Sequence, residues 1–154
     1  MGTDNTLHIV RASIADIAVL APLFDQYRIF YGQTADLSSS KTFLKKRFSK
    51  DEAVVFLAYE GTKAVGFTQL YTSFSSVSLQ SFFILNDLYV APEFRSRGIG
   101  KALLIEAQQY CISKNYKGLA LETATDNPAQ ELYNKLGWEK DTRYFHYFWT
   151  APTK

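Results

Sequence analysis

The chemistry this sequence offers is concentrated in one short stretch, Arg95-Ser96-Arg97-Gly98-Ile99-Gly100-Lys101, which follows the apolar run from Phe82 to Val90. Two glycines, one residue apart, stand where a helix begins, with three cations around them. The first N–H groups of a helix have no intrahelical partner, and the helix dipole favours negative charge there. Glycine removes the Cβ that would keep a phosphate off the backbone. Arg95, Arg97 and Lys101 can add charge-assisted hydrogen bonds, so the turn suits a pyrophosphate. It is neither of two familiar glycine loops. Ala102 follows Lys101 where a Walker loop has Ser or Thr, and Leu103 stands where the dinucleotide fingerprint has its third glycine. On these residues alone, an ordinary strand-to-helix turn is the other reading.

The elements that must position this turn follow from periodicity. Leu7–Ala12 reads as a short strand, and Ser13 with Asp16 has the spacing of a capping box. Ile17, Leu20, Phe24, Tyr27 and Tyr31 then mark one face of a helix, which Pro22 is expected to kink or split. A second helix is expected from about Ser40 to Phe48, with the cations of Lys41–Lys50 on a solvated face. Ala53–Glu60 and Ala64–Tyr71 read as strands joined near Gly61, and Thr72–Ser81 as a loop or irregular hairpin end. Phe82–Val90, almost continuously apolar, reads as a central strand buried on both faces. A helix from Gly98 to Lys114 turns Ile99, Leu103, Ala107, Tyr110 and Cys111 inward. Lys117–Ala124 is the next expected strand. A short helix capped by Asn127, with Pro128 at its first position, ends at Gly137. Arg143–Trp149 is expected to close the chain as a β segment. The order β-α-α-β-β-β-α-β-α-β makes a single domain, residues 1–154, of mixed α/β class.

Composition removes several function classes. With 154 residues and a net charge of +2, the chain lacks the basic stripe of a nucleic-acid binder. It has no apolar run of about 18 residues, so no membrane span is expected. Its first residues have neither the basic nor the apolar region of a signal peptide, and a reducing cytoplasm fits best. Cys111 is the only cysteine and there are two histidines, too few for a disulfide framework or a metal centre. No Gly-x-Ser-x-Gly elbow is present, which leaves an acyl-enzyme on serine without support.

Leu85–Leu104, "LNDLYVAPEFRSRGIGKALL", resembles the acyl-CoA-binding signature of the GNAT superfamily of N-acetyltransferases, Arg/Gln-x-x-Gly-x-Gly/Ala. "DNPAQELYNKLGW" (Asp126–Trp138) resembles the second signature of that superfamily, and the order of elements matches along nearly the whole chain. The resemblance implies a central, mainly antiparallel sheet with one splayed parallel strand pair, flanked by helices. It also implies that Arg95, Ser96, Arg97, Gly98, Ile99, Gly100 and Lys101 hold the pyrophosphate of acetyl-CoA. Backbone at Leu88, Tyr89 and Val90 would then receive the pantetheine and polarise the thioester carbonyl, with Asn127 as a further cofactor contact. Tyr133 matches the tyrosine that protonates the leaving thiolate, and a phenol is protonated at neutral pH.

The base that deprotonates the amine is Asp87 or Glu122. Polyamine-acetylating relatives carry an acidic pair where this chain has Asn86 and Asp87, and histone-type relatives a glutamate where it has Ile84. The acceptor would be walled by Tyr27, Arg28, Tyr31 and Gln33, with Tyr71, Phe74 and Asn86 completing the cleft. The tyrosines suit a cation, whereas Arg28 suits a carboxylate, and both acceptor types stay open. The implied activity is direct acetyl transfer to a primary amine of a small molecule, amino-acid-like or polyamine-like, within a homodimer. A protein or peptide N-acetyltransferase and a non-catalytic acyl-CoA-binding sensor are the alternatives.

Overall fold

The computed structural model describes residues 5–153; the start of the segment read for a signal peptide lies outside them. Two compact units emerge, Met1–Glu122 and Thr123–Lys154. The first holds a five-stranded sheet in the order β1-β2-β3-β4-β5: β1 Leu7–Arg11, β2 Ala53–Glu60, β3 Lys63–Ser75, β4 Gln80–Val90 and β5 Leu119–Ala120. All neighbours run antiparallel except β4 and β5, which are parallel. This is the mixed α/β architecture expected above, with its single parallel pair.

Helices cover both faces. On one face α1 (Ile17–Phe30) and α2 (Leu37–Ser49) bury Leu20, Ala21, Phe24 and Leu44 against Val55, Leu57 and Phe67 of the sheet. The alternate residue Phe56 points the other way, its ring 5.6 Å from that of Tyr110 in α3 (Ile99–Ser113). Leu103, Leu104, Ala107 and Cys111 of α3 are buried as well. Full burial of such side chains contributes about 1.5–3 kcal/mol each, so the two apolar faces hold the helices to the sheet.

Several expectations need correction. Pro22 does not split α1, which runs unbroken from Ile17 to Phe30. Proline removes one N–H, while buried neighbours on either side, Leu20, Ala21 and Phe24, keep both halves on the sheet. The capping box of Ser13 and Asp16 is present, but it caps a 3-10 turn, Ile14–Asp16, that leads into α1. Helix α2 begins earlier than periodicity indicated, because the Asp36 side chain accepts from the Ser39 N–H and caps it. Thr72–Ser75 and Gln80–Ser81 are not loop: they pair across β3 and β4.

The expected strand Lys117–Ala124 shrinks to two residues, since β5 meets β4 only at Phe83 and Ile84. In the second unit α4 spans Gln130–Lys135, starting after Pro128. The bonds from Glu131 N–H to the Pro128 carbonyl and from Leu132 N–H to Ala129 tighten its entry into a 3-10 turn. Asn127 Oδ1 accepts from Ala129 N–H at 2.9 Å and so caps that turn rather than the helix. Gly137 follows as foreseen, at φ 86°. Arg143–Trp149 form no strand within their unit.

Strands β3 and β4 approach unusually closely at Gly66, where an added Cβ would lie 2.7 Å from the Tyr89 carbonyl oxygen. Backbone cannot yield as a side-chain tip can. Gly66→Ala is therefore expected to destabilise by roughly 1–3 kcal/mol, read as a lower denaturant midpoint at unchanged slope. A wild-type midpoint would show that the strands part at no cost.

Candidate active site

The site is organised by one extra residue in β4. Gln69 pairs with Asp87 and Leu70 with Leu85, which leaves Asn86 as a β-bulge. Side chains alternate along a strand, so one extra residue exchanges the faces beyond it. Before the bulge, Phe83 faces α3, its ring 5.6 Å from Tyr110 and 4.7 Å from Tyr116. After it, Tyr89 faces α1, its ring 6.2 Å from Tyr27 and 6.4 Å from Phe67. This is why an almost continuous apolar run was needed. The run is not evenly buried on both faces, since Asn86 at the bulge is exposed.

Asp87 lies on the α1 face, 4% exposed. Gln69 Nε2 donates to Oδ2 at 2.6 Å and Asn86 Nδ2 to Oδ1 at 3.1 Å. Burial raises its pKa above the ordinary aspartate value, against the lowering effect of hydrogen bonds from Gln69, Tyr27 and Asn86. Tyr27 donates to the Asn86 carbonyl at 3.3 Å. Burial, then the Asp87 charge, pushes the Tyr27 and Tyr71 hydroxyls far up, so both stay neutral phenols. Tyr27, Tyr71 and Asn86 thus gather at Asp87. A buried carboxylate with a raised pKa can accept a proton near neutral pH.

Beyond the bulge β4 pairs with β3 but not with β5. Ala91 N–H bonds to the Val65 carbonyl at 2.8 Å, which fixes the alternation of an antiparallel ladder. By that alternation the Tyr89 N–H faces β3, while those of Leu88 and Val90 face the free edge. The Val90 carbonyl agrees, because it accepts from Arg95 Nε at 2.9 Å instead of from β3.

That same arginine lies over the rings of Phe30 and Tyr89, at 5.4 and 5.6 Å. Ser96 and Gly98 adopt left-handed φ of 64° and 80°, and α3 starts at Ile99, placing Gly100 and Lys101 in its first turn. A Cβ on Gly98 would meet nothing within 4 Å, so the conformation and not crowding selects glycine there. The open space beside unsatisfied helix N–H groups fits an anionic group such as a pyrophosphate. Arg97 is diverted in part: its NH1 pairs with Glu60 at 3.0 Å.

The other residues expected around the acceptor spread out. Arg28 donates from NH1 to Asp25 Oδ1 at 2.9 Å and to the Thr34 carbonyl at 3.3 Å. Tyr31 meets the Tyr27 ring edge-on at 5.0 Å, and Gln33 N–H bonds to the Arg28 carbonyl in the loop after α1. Phe74 lies five strand positions beyond Gln69, about 17 Å at 3.3–3.4 Å per residue, towards the β3–β4 turn. Glu122 ends the first unit, two residues after β5. In the second unit, Tyr133 is fixed by the end of α4. Its carbonyl accepts from Trp138 N–H at 3.0 Å around Gly137, and the two rings lie 5.9 Å apart. Among the described residues no cluster of three or more metal-ligating side chains occurs.

Sequence reasoning missed Gln69 and Asp25. Gln69 was detectable as a lone amide inside an apolar strand, where a buried polar group needs a partner. Asp25, 6% exposed, collects Arg28, the Asp36 N–H at 3.1 Å and the Ser40 hydroxyl at 2.9 Å. Burial raises its pKa, yet those three partners together leave it below the ordinary value.

Residues 20–138 match the model of the acetyltransferase (GNAT) family. The chain is 44% identical over 149 residues to the uncharacterized N-acetyltransferase YhfO of Bacillus subtilis (strain 168), covering 96% of this chain and all of that protein. It is 27% identical over 101 residues to the aminoglycoside N(6')-acetyltransferase type 1 of Salmonella typhimurium (strain LT2), covering 63% and 70%. The crystal structure of a probable acetyltransferase superposes with a TM-score of 0.89 at 37% identity, covering 96% of this chain and 99% of that one.

The two buried aspartates should respond oppositely to substitution. Asp25, with a lowered pKa, stabilises the fold above its unfolded value of about 3.9 and loses that contribution as pH falls through its folded value. Asp25→Asn is therefore expected to cost about 1–3 kcal/mol at pH 7, a deficit that closes in acid. For Asp87, with a raised pKa, the stabilising state is the protonated one, present below about pH 3.9 and lost as pH climbs through the folded value. Asp87→Asn should leave neutral-pH stability unchanged or higher. Urea titrations of both variants at pH 4 and pH 7 check the pair of signs.

Proposed function

Because the chain belongs to the GNAT family of acetyltransferases, and is thus an acyltransferase, we propose that it moves an acetyl group from acetyl-CoA to a primary amine of a small molecule. The observation that carries this reading is the bulge, which sets a buried carboxylate beside two free-edge N–H groups, a few residues before an anion-binding turn. The aminoglycoside-acetylating relative supports a small amine acceptor.

In this reading the N–H groups of Ile99, Gly100 and Lys101, with Arg95 and Lys101, hold the pyrophosphate, and Asn127 is a further cofactor contact. Acetyl-CoA supplies the acetyl group as a thioester. Leu88 and Val90 donate to its carbonyl oxygen, as donors of an oxyanion hole do. Asp87 takes the proton of the acceptor ammonium, freeing the lone pair that forms the new C–N bond. As the C–S bond breaks, Tyr133 gives its hydroxyl proton to sulfur, and the second proton lost by the acceptor nitrogen restores the phenol through solvent. We assign the base to Asp87 before Glu122 because two amides hold its carboxylate and burial raises its pKa. Arg28, Tyr31, Gln33 and Phe74 remain acceptor-side candidates beside the Tyr27, Tyr71 and Asn86 group.

We also propose that the chain works as one domain in a cytoplasmic homodimer, with the aromatic segment Arg143–Trp149 at the interface. The family resemblance supports this. Among the described residues no helix is long and apolar enough to cross a membrane.

Purified protein is expected to release thiol from acetyl-CoA only when an amine is added; acceptor-independent release, or none with any amine class, would reject the transferase reading. Tyr133→Phe should bind acetyl-CoA as the wild type does and lose about 100-fold or more in turnover. Unchanged turnover with chemistry rate-limiting would remove the general acid.

A further inference from the structure

Within the first unit the groups around Asp87 can accept hydrogen bonds but include no cation. Among the described residues of that unit no Lys, Arg or His nitrogen lies within 4 Å of its carboxylate, whose partners there are the neutral amides of Gln69 and Asn86. A buried carboxylate without a counter-ion is costly unless a ligand supplies the charge. Gln69, fully buried, spends its amide N–H on Asp87 and leaves Oε1 without any partner. That orientation is dictated by the 2.6 Å contact, because a carboxylate accepts and does not donate. Tyr27 and Tyr71 add two neutral phenols with oxygen lone pairs and ring faces. An ammonium carries three donors and no acceptor, the complement of this set.

Three arginines of the first unit that could recognise a carboxylate already have partners. Arg28 is held by Asp25 and the Thr34 carbonyl, and Asp25 is in turn pinned by the Asp36 N–H and Ser40. Arg47, whose charge reaches Tyr71, pairs with Glu52 at 3.8 Å and covers the Phe43 ring at 4.6 Å. Arg95 is anchored on the Val90 carbonyl.

We propose that the acceptor is a cationic amine that carries no carboxylate, a diamine-like or polyamine-like compound and not an amino acid. This rests on the transferase reading above. Asp25 is then a specificity-determining residue that never touches the acceptor: by occupying Arg28 it withholds the guanidinium that would otherwise welcome a carboxylate.

Two matched pairs test this with the full-length protein: 1,5-diaminopentane against lysine, and 2-phenylethylamine against phenylalanine. Each pair differs by one carboxylate. Thiol release from acetyl-CoA is expected to show kcat/KM at least 10-fold higher for the carboxylate-free member of both pairs. Calorimetry with CoA-saturated protein should show the same preference in binding. Equal or better turnover of lysine and phenylalanine would overturn the acceptor class and leave the transferase reading standing. Selective diamine binding without thiol release would keep the class and reject the transferase. Binding of neither member of either pair would overturn the class. Asp25→Asn is expected to narrow the ratio by raising kcat/KM for the carboxylate-bearing member, and adding Arg28→Gln to that variant should reverse the gain. An unchanged ratio in a folded Asp25→Asn protein would remove Asp25 from specificity.

Discussion

One uncompensated residue in β4 governs the arrangement of the first unit. With Asn86 left over between the Gln69–Asp87 and Leu70–Leu85 pairs, the same strand serves the α3 face up to Leu85 and the α1 face from Asp87. Without the bulge, alternation would send Asp87 to the α3 side, among the rings of Phe83, Tyr110 and Tyr116 and away from the Gln69 amide. The bulge also turns the Asp87 side chain to the α1 face in the same stretch whose Leu88 and Val90 N–H groups turn to the free edge. The buried carboxylate and these N–H groups therefore share one strand, and their relative positions do not depend on a loop.

The polar interior divides into two clusters with opposite energetics. Asp25 is oversupplied with donors, so its charge is welcome and its role is to tie α1, the following loop and α2 together. Asp87 is undersupplied with charge, so its ionised form is held at a cost to the fold. A group that is poorly satisfied in the free protein is one whose satisfaction can be completed by a ligand. Two aspartates on the same side of the sheet thus contribute in opposite ways to stability.

The sequence made some of this legible. The glycine turn, the span Ala53–Glu60 and the inward face of α3 could be read because glycine chemistry and periodicity are local signals. What was missed depends on pairing. The bulge could not be seen in Phe82–Val90, since a face exchange within an apolar run leaves no gap in its pattern. Nor did Lys117–Ala124 reveal that it pairs over two residues only, because strand propensity does not report where a neighbour diverges. The start of α4 moved because Asn127 and Pro128 are as good at capping a 3-10 turn as a helix. Aromatic content alone suggested a strand at Arg143–Trp149, which its own unit does not form. Gln69 and Arg28 show the limit for the site itself: residue type announces a polar group, whereas only the fold says whether a partner has already claimed it.

The ladder order has a consequence for how the site is assembled as the chain folds. β2, β3 and β4 pair with sequence neighbours through short turns, so their contacts close small loops and are entropically accessible early. The β4–β5 pair has two rungs only and joins segments separated by the whole of α3. It gains the least from forming, while the β1–β2 pair, which spans α1 and α2, closes the longest loop of the sheet. Strand β4, which bears Asp87, belongs to the first group. The strand bearing Asp87 is thus set by local meander formation, and β5 joins its edge only when helix α3 has brought the last strand home.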